Sequence, residues 1–224
     1  MTVTLEPAEV TIPEDAVLVY VHDPMCSWCY GFRPTWVGLR AILPSALSVV
    51  ALVGGLAPDS DEPMPAELAQ HLAATWSRVA SICGVPMNLA YWSQTPTPPR
   101  STYPACRAVI AAERIAGRGD VMTSRIQDAY YQEAQNVWRD DVLVALAEGI
   151  GFDPGGFADM LHANDIHAVH AEQRGLAERL GMSGYPSLML IHQGQGTPIA
   201  VRHGAADQMC VDILDALGLS HVTH

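Results

Sequence analysis

Residues Ala16–His22 read Ala-Val-Leu-Val-Tyr-Val-His, a short apolar run rich in β-branched side chains, as in a buried strand. Pro24 stops its ladder. From Ser27 to Leu43 the period changes: Phe32, Trp36, Leu39 and Leu43 recur every three or four residues, which predicts a helix. Pro34 falls inside it and removes one backbone donor, so a kink is expected there. Leu47–Val53 is a second strand-like run, closed by Gly54-Gly55. Strand, helix and strand in this order predict a βαβ unit with a right-handed crossover.

From about Pro58 the pattern becomes helical. Pro65–Cys83, Tyr103–Ala116, Asp120–Gln135, Asp140–Gly149, Pro154–Asn164 and Ile166–Leu180 are the predicted helices, with Thr102 as N-cap of the second. After Gly184 the β signal returns as Ser187–His192, a turn over Gln193–Thr197, and Pro198–His203. Ala206–Leu217 closes the chain as an amphipathic helix on Met209, Ile213, Leu214 and Leu217. The expected architecture is α/β, a βαβ half (1–57), a large all-helical insertion (58–183) and a ββα half (184–224), with no internal repeat.

Composition narrows the chemistry. All 12 basic residues are arginine, so a pyridoxal Schiff base and a Walker A phosphate loop, which need lysine, are excluded. The 24 acidic residues give a formal net charge of -12, the wrong sign for a duplex nucleic-acid binder or a polybasic membrane binder. Met1–Asp15 carries Glu6, Glu9, Glu14 and Asp15, with no arginine before Arg33, unlike a secretory signal. Ala16–Val21 and Val49–Val53 are too short to span a bilayer. A cytoplasmic location is therefore expected, and the five cysteines are too scattered for a disulfide scaffold.

Two of those cysteines stand close together. Cys26-Ser27-Trp28-Cys29 follows the first strand and opens the first helix. Residues at i and i+3 share a helix face and can be bridged. The helix N-terminus favours a Cys26 thiolate by about 0.3–1 kcal/mol, and Cys29 is expected to be the buried resolving thiol. A lone C-x-x-C is also half a zinc site, but Cys83 and Cys106 stand singly, and His167/His170 is the other close histidine pair. A strand-to-helix junction favours redox chemistry. Gly184-Tyr185-Pro186-Ser187, directly before a strand, reads either as a turn into an edge strand or as a cis proline packed on the cysteine pair.

Other features have plainer readings. Cys83, Cys106 and Cys210 sit in apolar helical surroundings and are expected to be buried and inert. His162, His167 and His170 are read as a solvated helix edge, and Tyr130, Tyr131 and Trp138 as packing residues of the insertion. Gly194-Gln195-Gly196 lacks the third glycine of a dinucleotide site and is read as a hairpin turn.

The chain resembles the thioredoxin superfamily, specifically DsbA-like oxidoreductases of the cytosolic FrnE-like type. The resemblance rests on Asp23-Pro24-Met25-Cys26-Ser27-Trp28-Cys29-Tyr30-Gly31-Phe32, Gly54-Gly55-Leu56, Gly184-Tyr185-Pro186-Ser187 and the position of the helical insertion. It implies a thioredoxin fold, Cys26 as nucleophile, Cys29 as resolver and a cis Pro186 beside them. Ser27, Trp28, Tyr185 and Pro186 are the substrate-binding candidates. Expected partners are protein or small-molecule thiols and disulfides and a recharging redox partner, with glutathione as a candidate co-substrate. No metal, nucleotide or flavin is implied. The activity implied is that of a protein disulfide oxidoreductase or isomerase. The same fold hosts kappa-class glutathione transferases, 2-hydroxychromene-2-carboxylate isomerases and thiol-sensing adaptors, which stand as alternatives. The two-cysteine motif favours dithiol exchange over the single-thiol or serine sites of the first two.

Overall fold

The computed structural model describes residues 11–219. Glu6 and Glu9 lie outside the described residues. β1 (Val17–His22), α1 (Ser27–Ile42) and β2 (Ser48–Val53) form the first unit, with β1 and β2 parallel and Val17 opposite Ser48. α1 remains helical through Pro34. The helices α2 (Ala66–Cys83), α3 (Tyr103–Ala116), α4 (Gly119–Tyr131), α5 (Asp140–Gly149), α6 (Pro154–Leu161) and α7 (Asn164–Arg179) follow. β3 (Ser187–His192), β4 (Gln195–Ile199) and α8 (Ala206–Ala216) complete the chain. The sheet order is β2-β1-β3-β4, with β3 antiparallel to both β1 and β4.

Strand alternation sends the two faces of β1 to different partners. Leu18 and Tyr20 pack with Leu188 and Leu190 against Phe32 and Leu39 of α1 and Met209 and Ile213 of α8. Val19 and Val21 face the other way, onto Leu52, Ala177 of α7 and Met182. This is the mixed α/β thioredoxin arrangement with a helical insertion that the resemblance implied. The insertion has its own core, and it is aromatic: Trp76 lies 4.9 Å from Tyr130 and 4.7 Å from Tyr131 between ring centroids. Tyr30 of α1 stacks on Tyr131 at 4.5 Å, so the helix that carries the cysteine pair is anchored in both cores.

Several expectations need correcting. The hairpin turn is tighter than Gln193–Thr197: Gln193 (φ 52) and Gly194 (φ 72) form a two-residue left-handed turn, and β4 begins at Gln195. Such a turn matches strand twist, so pairing resumes at once. Pro198 is accommodated because β4 is the sheet edge. α4 stops at Tyr131, short of Gln135, and Ala134 takes a left-handed φ of 55. α6 ends at Leu161 and α7 starts at Asn164, so one predicted break moves. A 3₁₀ turn at Leu89–Ser93, which no periodicity announced, carries Tyr91 into the aromatic core. Thr102 does occupy the N-cap position of α3, but its side chain does not cap.

Candidate active site

Cys26 is the N-cap residue of α1, with extended backbone (φ -85, ψ 117), and Cys29 lies one turn on. The Cys26 thiol is 6% exposed and donates to the Tyr185 carbonyl at 3.4 Å; Cys29 is completely buried, and both are free thiols. Burial, reinforced by the neighbouring Cys26, pushes the Cys29 thiol well above its ordinary value. Cys26 is therefore the less enclosed of the two sulfurs, and burial favours the protonated form of Cys29.

The loop between β1 and α1 is held by a buried carboxylate. Asp23 is fully enclosed; its Oδ1 accepts from the Met25 N–H at 2.7 Å and its Oδ2 from the Leu56 N–H at 2.8 Å. One side chain thus ties the residues before Cys26 to the loop after β2. That loop is further fixed by Gly54 N–H donating to His22 O at 2.7 Å, and by Thr102 Oγ1 accepting from Leu56 and Ala57 N–H groups at 3.0 and 3.1 Å. Serving the loop is why the Thr102 hydroxyl is unavailable as a helix cap.

Tyr185 presses on the same loop. A Cβ at Gly54 would overlap the Tyr185 ring, so only glycine permits this approach. The Tyr185–Pro186 peptide is cis, and both side chains are half-buried beside the cysteine pair. Ser27 and Trp28 are also half-buried. Trp28 points away toward His203, 5.5 Å between ring centroids, with the Arg78 guanidinium 5.9 Å from its ring. Of the six residues singled out from sequence, Cys26 and Tyr185 meet through a hydrogen bond, Pro186 follows Tyr185 across the cis peptide, and Cys29 lies one turn along α1. Ser27 is half-buried between the cysteines in sequence, and Trp28 packs toward His203.

Supporting residues came from further along the chain. His170, expected on a solvated edge, is buried at 2% exposure, with its Nε2 at 2.5 Å from Gly54 O and its ring against Tyr103. α7 crosses the sheet at this loop, which turns an apparent surface histidine inward. Gln173 of the same helix accepts from Val53 N–H at 2.8 Å. His22, at the end of β1, is buried with its ring stacked 4.9 Å from Tyr20, and burial lowers its pKa to about 4. A signal for His170 existed, since it stands beside the Ile166/Val169 stripe, but nothing in that pattern names its partner. Cys106 and Cys210 are buried, whereas Cys83 is half-buried. Among the described residues no three His, Cys, Asp or Glu side chains converge as a metal site, and no helix is long and apolar enough to cross a membrane.

The sequence model of the DSBA-like thioredoxin domain matches residues 17–211. Among solved structures, the cytosolic disulfide reductase DsbM from Pseudomonas aeruginosa is similar at 28% identity and TM-score 0.75, covering 91% of this chain and 99% of that one. DsbM with GSH aligns with TM-score 0.74 over 91% of this chain and 100% of that one, again at 28% identity. A protein from Nitrosomonas europaea shares the fold at TM-score 0.80 and 24% identity, covering 93% of this chain and 100% of its own. Among curated proteins, the ClpXP adapter protein SpxH of Bacillus subtilis is 23% identical over 194 residues, 84% of this chain and 63% of that protein. The chain thus spans less than two thirds of the length of that relative.

Proposed function

The chain belongs to the DSBA-like thioredoxin domain family, and we propose that it exchanges disulfides with thiol partners through Cys26 and Cys29. The observation that carries this reading is the placement of Cys26. It opens α1 with its sulfur 3.4 Å from the Tyr185 carbonyl, and Cys29 is sealed one turn behind.

Attack by Cys26 on a substrate disulfide forms a mixed disulfide and releases the first thiol. Cys29 then loses its proton and attacks the Cys26 sulfur, releasing the second thiol and closing the internal bond. Two electrons pass from the dithiol to the substrate. Two equivalents of a thiol such as glutathione restore the dithiol and become the corresponding disulfide. The Tyr185 backbone, set beside Cys26 ahead of the cis Pro186, offers strand-like pairing to an extended substrate. Similarity to DsbM supports a reducing direction in the cytoplasm, and the GSH in its solved complex supports glutathione as the small thiol partner.

The test is equilibration of Cys26 and Cys29 against glutathione buffers, read by alkylation mass shift. A reversible two-electron couple between about -270 and -120 mV supports the dithiol reading, and a value near the lower end supports a reductant. Failure to form an internal disulfide overturns it. Cys26→Ser is expected to abolish turnover, by at least about 10³-fold, because the attacking sulfur is gone. Cys29→Ser is expected to accumulate mixed disulfides. Similarity to SpxH favours a second reading, a protease adaptor. Client capture by the double Cys26→Ser/Cys29→Ser variant would select it.

A further inference from the structure

A different thiol lies across α1 from Cys29. Cys83 closes α2, and its Sγ sits 3.4 Å from Nδ1 of His203, a residue 120 positions away on the segment between β4 and α8. The sulfur occupies a recess that Gly31 creates: a Cβ there would come within 2.8 Å of it. His203 is itself held edge-on by Phe32 at 5.6 Å and by the tilted ring of Trp28 at 5.5 Å. The next residue is anchored by Gly204 N–H donating to Thr35 Oγ1 at 2.7 Å. A nucleophile, a base at hydrogen-bond distance and groups that orient the base are the parts of an activated thiol.

We propose that Cys83 and His203 form a second reactive thiol site, which takes small anionic disulfides and becomes S-thiolated. Burial pushes the Cys83 thiol up, so the sulfur needs a proton acceptor as it attacks, and the His203 imidazole is in place to be one. With glutathione disulfide, Cys83 sulfur bonds to one glutathione sulfur and the glutathione S–S bond breaks. The departing thiolate takes the proton from His203. One disulfide and one thiol enter, and one mixed disulfide and one glutathione leave, with no other oxidant. The anionic preference comes from Arg78, which shares α2 with Cys83. It is exposed, lies over the ring of Trp28, which itself packs on His203, and makes no ion pair among the described residues.

The test uses the full chain with Cys26→Ser and Cys29→Ser, so the proposed dithiol cannot contribute and its failure is read separately. After exposure to glutathione disulfide, peptide mass spectrometry should find the adduct on Cys83. It should form at least about 10²-fold faster there than on Cys106, which is completely enclosed, or on Cys210, which is buried with its thiol against the Ile42 carbonyl. His203→Gln should slow it about 10²-fold, the lower end of general-base effects, with an unchanged circular dichroism spectrum showing that the variant folds. Arg78→Ala should slow glutathione disulfide and leave uncharged hydroxyethyl disulfide unaffected, an arm that does not depend on His203. Modification first at Cys106 or Cys210, no adduct, or equal rates with Gln at position 203 overturns the site. Equal loss with both disulfides overturns the anionic class.

Discussion

The two flanks of α1 present cysteines under opposite conditions. On one flank Cys29 is sealed from solvent, and Cys26, itself buried but less enclosed, is held by backbone: its thiol donates to a carbonyl and its loop is tied by Asp23. On the other flank Cys83 is half-exposed and is paired with a side chain, the His203 imidazole. The reactivity proposed for the first flank rests on a rigid frame, and that proposed for the second on a base. The same residue type in one helix-rich region is therefore directed to different chemistry by what faces its sulfur.

The frame can be removed without touching the base. Asp23→Ala leaves the buried Met25 N–H without its acceptor and the Leu56 N–H with Thr102 alone. The expected loss is about 2–4 kcal/mol by urea denaturation, since hydrogen bonds to a carboxylate contribute about 1.5–3 each. In the surviving folded protein, disulfide exchange at Cys26 should fall while Cys83 thiolation keeps its rate. An equal fall at both would mean that the flanks are not independent.

His22 lies under the dithiol flank and tests its acid sensitivity. The unfolded chain takes a proton at His22 near 6.5 and the folded chain near 4, so this contribution to stability is complete above about pH 6.5 and is lost as pH falls toward 4. The limit is about 3 kcal/mol, from roughly 1.4 kcal/mol for each pH unit between the two values. His22→Phe keeps the stack on Tyr20 and should flatten denaturation midpoints across that range. An unchanged slope would show that another group dominates acid unfolding.

Gly54→Ala sharpens the comparison. The new Cβ would displace the Tyr185 ring and with it the carbonyl that holds Cys26, at an expected cost of about 1–3 kcal/mol. Exchange at Cys26 should slow by more than stability falls, because geometry and not only packing is lost. Thr102→Val should have the smallest effect, about 1–2 kcal/mol. It removes the oxygen that accepts from Leu56 and Ala57 but leaves Asp23 bonded to Leu56.

Much of the fold was legible because strand and helix periods are local properties. β3 and α3 have the bounds that the hydrophobic pattern predicts. The cysteine pair was legible because its four residues and its strand-to-helix setting are contiguous. The 3₁₀ turn at Leu89–Ser93 was not, since too few residues are involved to show a period. The inward turn of His170 was not either: its partner is a backbone carbonyl 116 residues away, and a carbonyl leaves no mark in a sequence.

By itself the sequence determined the order of the strands and α-helices, though not every bound, and that Cys26 and Cys29 would share one end of one helix. Short-range spacing is enough for both. Only the tertiary structure decided what surrounds each sulfur, because those neighbours arrive through packing. Tyr185 reaches Cys26 across 159 residues and His203 reaches Cys83 across 120. A cysteine's reactivity follows its burial and its nearest polar atoms, and both are set when the sheet, α1 and the insertion close on one another.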